Sequence, residues 1–182
     1  DSGGPGLHRG GNGVRVGYRF LERGEISVHD DRWLTYPWGV NGGLPGARSR
    51  KLLQRADGTE RLVPSKCDCV VVEAGDLLLF ETWGGGGWGD PLARDPDRVA
   101  LDVRRGLATV KGVRRYGVVV GDDGRVARDE TETLRGEMAA GRTEILLIDK
   151  GGTIEELKAR CLEETGFEPP VAPVFGTGTG PT

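Results

Sequence analysis

Four consecutive glycines at positions 84–87 lie between Trp83 and Trp88, and they limit the folds open to this chain more than any other stretch. Glycine loses more backbone entropy on folding than any other residue, so such a run costs stability unless the backbone must approach something closely. Flexible linkers combine glycine with serine and rarely contain large aromatic side chains. Because both indole rings need burial, we expect an ordered loop of close approach between a strand at 67–80 and a helix that begins near Asp95.

A second glycine-rich segment covers residues 1–13, and polar side chains alternate with its glycines. Such a pattern is typical of backbone loops that hold an anion or a carbonyl group. With 32 glycines and only 36% hydrophobic residues among 182, the chain is rich in loops. A third irregular segment, at 32–47, contains Trp33, Tyr36 and Trp38 among prolines and glycines, and we expect it to form a pocket wall or a subunit interface.

Hydrophobic periodicity predicts an α+β fold that is mainly β, with hairpins, a mixed sheet and a few short helices in the C-terminal half. We expect a hairpin of strands 14–21 and 26–29, a second hairpin at 51–63, and strands at 64–72 and 77–80 that are buried on both faces. Further expected elements are helices at 95–106, 107–113, 126–140 and 153–165 and strands at 116–120 and 145–148. Three regions follow: a β-rich core at 1–121, a helix and strand segment at 122–168, and an extended tail at 169–182.

Composition argues against several classes of partner. The net charge of -3 gives no basic surface for nucleic acid, and no apolar run approaches the roughly 20 residues that span a bilayer. A cytoplasmic protein is therefore expected. The single Cys-x-Cys, at Cys67 and Cys69, lacks the paired spacing of zinc sites, so we predict reduced cysteines and no metal ligands in this chain. The chain begins at Asp1 without methionine, which suggests a processed or partial chain.

The sequence alone gives few candidates for catalysis. It contains neither the Gly-x-Ser-x-Gly motif of serine hydrolases nor a Walker lysine. Carboxylates beside the loops that we expect to be ordered are Asp1, Asp30, Asp31 and Asp90. Surface acids are mostly solvated turn residues or helix caps, and that alternative stays open for each of them.

Several motifs occur in an order that resembles the C-terminal part of the hydantoinase B/oxoprolinase family. They are Asp-Ser-Gly-Gly-Pro-Gly at 1–6, Arg-Gly-Gly at 9–11, Asp-Asp-Arg at 30–32, Pro-Trp-Gly at 37–39, Gly-Gly at 42–43, Gly-Gly-Gly-Gly-Trp-Gly-Asp-Pro at 84–91 and Asp-Lys-Gly-Gly at 149–152. The resemblance implies ATP-dependent hydrolysis of a cyclic amide, such as a hydantoin, 5-oxoproline or a related lactam. It also implies a hetero-oligomer in which a hydantoinase A-type partner holds ATP and Mg²⁺ and phosphorylates the substrate. The rest of the B-type subunit, with a metal ion of its own in the upstream part, would be needed for activity, and no cofactor is expected on this chain alone.

The resemblance also selects site residues. The candidate catalytic residues are Asp1, Ser2 and Asp30, and the candidate substrate-binding residues are Gly3, Gly4, Arg9, Gly10, Gly11, Arg32, Trp38, Gly84, Gly85, Gly86 and Gly87. We expect the glycine N–H groups to line a substrate or phosphate channel, with an arginine contacting negative charge. Two alternatives remain: a non-catalytic assembly module in which glycines and tryptophans pack at an interface, and part of an ATP-dependent ketone carboxylase.

Overall fold

The computed structural model describes residues 1–171, in which short antiparallel strands come first and three helices follow, with one more short strand between the second and third helix. The strands are β1 (Arg15–Arg19), β2 (Gly24–His29), β3 (Gly39–Val40), β4 (Arg50–Gln54), β5 (Glu60–Leu62), β6 (Lys66–Val72), β7 (Leu77–Glu81) and β8 (Ile148–Asp149). The helices are α1 (Pro96–Arg104), α2 (Arg128–Ala140) and α3 (Ile154–Thr165), with single 3₁₀ turns at Pro91–Ala93 and Gly112–Tyr116. The predicted fold class, α+β and mainly β, is confirmed. No helix within the described residues is long and apolar enough to cross a membrane.

The strands form a four-stranded sheet in the order β1-β7-β4-β5 and two pairs, β2-β6 and β3-β8. The predicted hairpin at 51–63 is confirmed, since Leu52 of β4 lies opposite Leu62 of β5. The predicted pairing of 14–21 with 26–29 is wrong. β1 pairs with β7 and β2 pairs with β6. The chain between β1 and β2 is held instead by the turn before β7, because the Phe20 N–H donates to the Asp76 carbonyl and the Gly75 N–H donates to the Phe20 carbonyl.

Two separate clusters form the core. The first lies among the strands and contains Val28, Leu53, Val63, Val70, Val72 and Leu78. The expectation that 70–72 and 77–80 are buried on both faces is wrong, because Val71 is only half-buried between the buried Val70 and Val72, and Leu78 is the one buried residue of β7. Alternation of this kind is typical of antiparallel strands with one face on the core.

The second cluster packs α1 against residues 113–120, and it contains Val99, Ala100, Val113, Tyr116, Val118 and Val120. Two predicted elements in this region are wrong. The helix expected at 107–113 is a single turn at Gly112–Tyr116, and the strand expected at 116–120 is reduced to one bridge from Val120 to Val126. Its apolar residues are buried by packing on α1 rather than by pairing in a sheet.

The remaining helices begin and end within two residues of their predicted bounds. The Asp95 carboxylate accepts the Asp97 N–H at the start of α1. Thr153 and Glu156 form a capping box at the start of α3, and Gly166 ends that helix with φ of 70°. These are local signals, and each satisfies backbone groups that a helix terminus leaves unpaired.

The strand expected at 145–148 is shorter than predicted, because only Ile148–Asp149 pairs with β3. Residues 172–182 of the predicted tail lie outside the described part of the chain. The division into regions at 1–121, 122–168 and 169–182 stays a prediction.

Candidate functional site

Three glycine-rich segments, 2–13, 37–47 and 83–90, meet at residues 84–87, and we refer to this arrangement as the glycine crossing. They are joined by backbone hydrogen bonds although few of their residues belong to strands. The bonds at residues 84–87 run from Gly84 N–H to Ala47 O (3.2 Å), Gly85 N–H to Gly11 O (2.8 Å), Gly87 N–H to Leu44 O (2.9 Å), Gly4 N–H to Gly85 O (2.8 Å) and Val40 N–H to Gly87 O (2.9 Å). The glycine run at 84–87 is thus hydrogen-bonded to both of the other glycine-rich segments.

Glycine is required in the crossing because the backbones touch. A Cβ added at Gly84 would lie 1.7 Å from the Ser2 carbonyl oxygen, and one added at Gly86 would lie 1.7 Å from the Trp38 carbonyl oxygen. The ordered loop of close approach predicted from the sequence is therefore present, and the chain's own backbone is what it approaches. Gly85 is less confined, with its nearest neighbour, the Gly11 nitrogen, at 3.2 Å.

Most of the glycines chosen as substrate-binding residues donate their N–H groups within the chain. The acceptors for Gly3, Gly4, Gly10, Gly84, Gly85 and Gly87 are the Asn12 side chain and carbonyl oxygens of the same glycine-rich segments. Within residues 1–171, no acceptor is found for the N–H groups of Gly11 and Gly86. A direct role of glycine N–H groups in binding substrate stays a prediction, and these two are the donors that remain for it.

The indole rings that flank the glycines are not buried, so that expectation is wrong. Trp83 and Trp88 each expose a little under half of their surface. The Trp88 backbone instead exchanges two hydrogen bonds with His8, at 2.9 and 3.0 Å, and the two rings lie 5.5 Å apart. Backbone pairing, rather than packing of the rings, orders this end of the crossing.

Asp1 and Ser2, two of the candidate catalytic residues, both accept hydrogen bonds from the backbone. The Asp1 carboxylate accepts from the Thr109 N–H at 2.8 Å and from the Thr109 hydroxyl. The Ser2 hydroxyl oxygen accepts from the Gly13 N–H at 3.0 Å. The first bonds hold Asp1 on the turn that precedes Gly112, and the other ties Ser2 to its own glycine-rich segment. A catalytic role for either residue stays a prediction.

Asp30, the third candidate, lies in a buried polar cluster that the sequence did not reveal. Its carboxylate is 6% exposed and accepts from the Lys51 ammonium, which is 1% exposed. Lys51 also donates to the hydroxyls of Ser49 at 3.0 Å and Ser65 at 2.5 Å, so its three protons are all used. Burial lowers the pKa of Lys51 from its usual range, and Asp30 opposes that shift. One sequence feature could have indicated that Lys51 is buried. Lys51 and Leu53 are two residues apart in β4, and alternate residues of a strand lie on the same face.

A cavity of about 300 Å³ lies beside this cluster, between the strands and the end of α3. Trp33, Tyr36 and Phe167 contribute aromatic walls, which agrees with the pocket-wall interpretation for part of the segment at 32–47. The Tyr36 hydroxyl donates to Glu164 at 3.0 Å, and the Arg48 guanidinium lies 4.4 Å from the centre of the Tyr36 ring. These contacts join the aromatic segment to α3 and close one side of the cavity.

The side chains of Arg32 and Lys150 both lie beside the exposed indole ring of Trp38. We refer to these three residues as the Trp38 surface. The Arg32 guanidinium and the Lys150 ammonium each lie 5.5 Å from the centre of the Trp38 ring. Arg32 adopts φ of 57°, in the left-handed region that few residues other than glycine occupy. Lys150 was missed as a site residue, although it belongs to the Asp-Lys-Gly-Gly motif. Two cations beside one exposed ring can attract an anionic group.

Arg9, the other arginine expected to contact negative charge, has partners inside the chain. It donates to the Gly10 carbonyl at 2.8 Å and to the Asn12 side chain at 3.1 Å, and its Nε lies 3.5 Å from the Asp102 carboxylate. The structure therefore places Arg9 against α1 and Arg32 at the Trp38 surface. Within residues 1–171, no group of three or more His, Cys, Asp or Glu side chains is arranged to hold a metal ion.

Comparison with known proteins identifies relatives of this chain. A family model described as hydantoinase B/oxoprolinase matches residues 1–91. A protein from Pseudomonas sp. (strain NS671), described as the putative B component of a D-/L-hydantoinase, is 34% identical over 134 residues, which cover 72% of this chain and 22% of the relative. 5-Oxoprolinase 1 from Arabidopsis thaliana is 38% identical over 92 residues, which cover 50% of this chain and 7% of the relative.

A solved structure is also similar. The crystal structure of ATP-dependent caprolactamase from Pseudomonas jessenii matches with a TM-score of 0.62 and 29% identity, over 75% of this chain and 24% of the caprolactamase chain. The present chain spans about a quarter of the length of the first curated relatives that it matches.

Proposed function

The chain belongs to the hydantoinase B/oxoprolinase family, and from this premise we propose that it forms the C-terminal part of a B-type subunit that hydrolyses a cyclic amide at the expense of ATP. The observation that carries the proposal is the family match at residues 1–91, since this range contains all three segments of the glycine crossing. The names of the relatives support hydantoins, 5-oxoproline or other lactams as the substrate class.

ATP is proposed to bind a partner of the hydantoinase A type, together with Mg²⁺. Two relatives from Pseudomonas are named as single subunits of a hydantoinase and of caprolactamase, and these names support the existence of a partner. The sequence of this chain contains no Walker lysine, and the proposal places the nucleotide on the partner. ATP supplies a phosphoryl group that turns a resonance-stabilised amide into a species that water can attack. We also propose that the chain is inactive alone, works in the cytoplasm, and depends on the rest of the B-type subunit for a metal ion.

The contribution proposed for this chain is to position the substrate. The glycine crossing fixes the Trp38 backbone, because Gly86 packs directly on the Trp38 carbonyl. Arg32 and Lys150 then concentrate positive charge at the exposed Trp38 ring. A phosphorylated or carboxylate group of the substrate would be held there by charge-assisted hydrogen bonds.

Lys150→Met in the reconstituted complex tests this role. Lys158→Met is the matched control, because Lys158 is an exposed lysine on α3. A hydrogen bond to a charged group contributes about 1.5–3 kcal/mol, so we expect Lys150→Met to raise KM for the lactam about ten-fold or more. The control variant should leave KM unchanged.

Copurification with the partner separates this role from that of an assembly module. Loss of turnover with the complex intact supports a substrate contact at the Trp38 surface. Loss of the complex would assign the surface to subunit assembly, and equal kinetics of the two variants would remove it from the site.

A further inference from the structure

The cavity beside the buried Lys51 cluster has the size of a small-molecule site. Its volume of about 300 Å³ is at the lower end of the range of ligand pockets. One turn of an α-helix, about 10 Å wide and about 5.4 Å long, has a larger volume. The space therefore suits a small molecule rather than a helix of another chain.

The walls of this cavity are apolar and come from separate parts of the chain. Their aromatic and aliphatic side chains are Trp33, Tyr36, Leu62, Val63 and Phe167. Phe167 is held at the end of α3, because its N–H donates to the Thr165 hydroxyl at 3.2 Å. Aromatic walls on a concave space favour a ligand with an apolar, ring-shaped body.

Two donors among the residues that line the cavity lack an acceptor within residues 1–171. The Ser65 hydroxyl accepts from the Lys51 ammonium at 2.5 Å, but its own proton has no hydrogen-bond partner there. The Arg48 Nε is buried and unpaired as well, since the Glu164 carboxylate, 3.0 Å away, is not placed in line with its N–H. A buried donor without an acceptor costs free energy, so a ligand that supplies an acceptor would be stabilised.

The charges around the cavity leave one cation in excess. Three ion pairs involve its lining: Lys51 with Asp30, Arg48 with Glu164, and Arg15 with Glu81. Arg50 also lines the cavity, is exposed, and makes no hydrogen bond or ion pair in the part of the chain that the structure describes. Glu81 lies opposite both Arg15 and Arg50 in the sheet, so one carboxylate faces two guanidinium groups. A ligand with a single negative charge would balance the remaining positive charge.

We propose that this cavity binds a small carboxylate whose aromatic body packs against Trp33 and Phe167. The carboxylate balances the charge of Arg50, and its oxygens are acceptors of the kind that the unpaired donors require. None of the three residues of the Trp38 surface lines the cavity. The site is therefore independent of the proposed lactam hydrolysis and of ATP.

Isothermal titration calorimetry with benzoate as the probe tests the site in the 182-residue chain. Benzoate should bind at one site per chain with a Kd of about 1 mM or lower. Benzyl alcohol has the same ring without the charge, and it should bind about ten-fold or more weakly because a charge-assisted hydrogen bond is lost. Acetate, which has the charge without the ring, should show no binding at the same concentrations.

Two variants separate the charge of the site from its space. Arg50→Met should weaken benzoate about ten-fold or more and leave benzyl alcohol unchanged. Arg61→Met is the matched control, because Arg61 is an exposed arginine of β5 that does not line the cavity. Leu62→Trp adds a ring to the lining and should abolish the binding of both compounds. Circular dichroism should show that all three variants are folded.

Four results would overturn the proposal. They are a wild-type chain that does not bind benzoate, equal affinities for benzoate and benzyl alcohol, equal losses in Arg50→Met and Arg61→Met, and unchanged binding in a folded Leu62→Trp variant. The titration is also to be repeated on the whole B-type subunit. Benzoate should bind there as well, and loss of binding would mean that the rest of the subunit fills the cavity, which would contradict a small-molecule site.

Discussion

Replacement of Gly86 by alanine probes the glycine crossing at one of its two tightest contacts. The new methyl group would lie 1.7 Å from the Trp38 carbonyl oxygen, whereas ordinary contact at such a position begins at 3.4 Å. The two backbones would therefore have to separate by about 1.7 Å, since neither atom belongs to a flexible side chain.

Separation on that scale breaks the hydrogen bonds on both sides of the contact. The Val40 N–H donates to the Gly87 carbonyl, and the Gly87 N–H donates to the Leu44 carbonyl, both at 2.9 Å. Each lost bond costs about 1 kcal/mol, and forcing a methyl group into a packed site costs about 1–3 kcal/mol. We therefore expect Gly86→Ala to lower the free energy of unfolding by about 3–5 kcal/mol.

Urea unfolding of matched glycine variants is the assay. Gly11→Ala is the control, because a Cβ at Gly11 meets nothing within 4 Å. Its stability should stay within about 1 kcal/mol of wild type, since alanine mainly reduces the entropy of the unfolded chain. Gly85→Ala should fall between the two variants. If Gly86→Ala and Gly11→Ala unfold at the same urea concentration with the same slope, the close-packed crossing is refuted.

Three further perturbations have defined outcomes. Asp30→Asn leaves the buried Lys51 ammonium without its carboxylate and should lower the free energy of unfolding in urea by about 3–5 kcal/mol; a neutral effect would mean that the pair is open to water. Thr153→Ala removes the cap of α3 and should cost about 1 kcal/mol by the same assay, and an unchanged midpoint would contradict the capping role. Burial raises the pKa of Asp90, but the Arg142 guanidinium and a backbone N–H outweigh it and hold the pKa below its usual range. This contribution to stability is present above the usual pKa of aspartate and is lost as the pH falls through the lowered value. Arg142→Met should therefore flatten the loss of stability on acidification, and an unchanged pH profile would contradict that assignment.

The sequence predicts the local features of this fold well. The hairpin at β4 and β5, the start of α1 and the capping box of α3 all follow from short-range signals, because turn and cap residues satisfy neighbouring backbone groups. The ordered glycine run also follows, since its entropy cost requires a close contact.

Pairing between distant segments is what the sequence does not reveal. β1 and β2 are adjacent in the chain and both alternate, yet each pairs with a strand from 66–81. Several apolar strands can satisfy the same pattern, and the choice depends on how the whole core packs. The partner of the glycine run was unpredictable for the same reason, because a ligand and the chain's own backbone both require glycine.

The candidate site residues stay predictions, and the structure shows only which of them lie together. Arg32 and Trp38 lie together as members of one site would, whereas Lys150 reaches the same ring from more than a hundred residues away. Asp1, Ser2 and Asp30 were chosen by motif, and the structure shows the contacts that each makes within the chain. No local pattern distinguishes a carboxylate that faces substrate from one that caps a turn.

Coupling between ATP hydrolysis and ring opening is the most direct measurement for the proposed function. Phosphate release and ring-opened product are to be quantified together for the B-type subunit with its A-type partner, using hydantoin, 5-oxoproline and caprolactam, and ketones with bicarbonate. We predict that one of the cyclic amides gives phosphate and ring-opened product in equal amounts, that both require the partner and ATP, and that bicarbonate has no effect. Ring opening without ATP, or phosphate release that depends on a ketone and bicarbonate, would contradict the proposed cyclic amide hydrolysis.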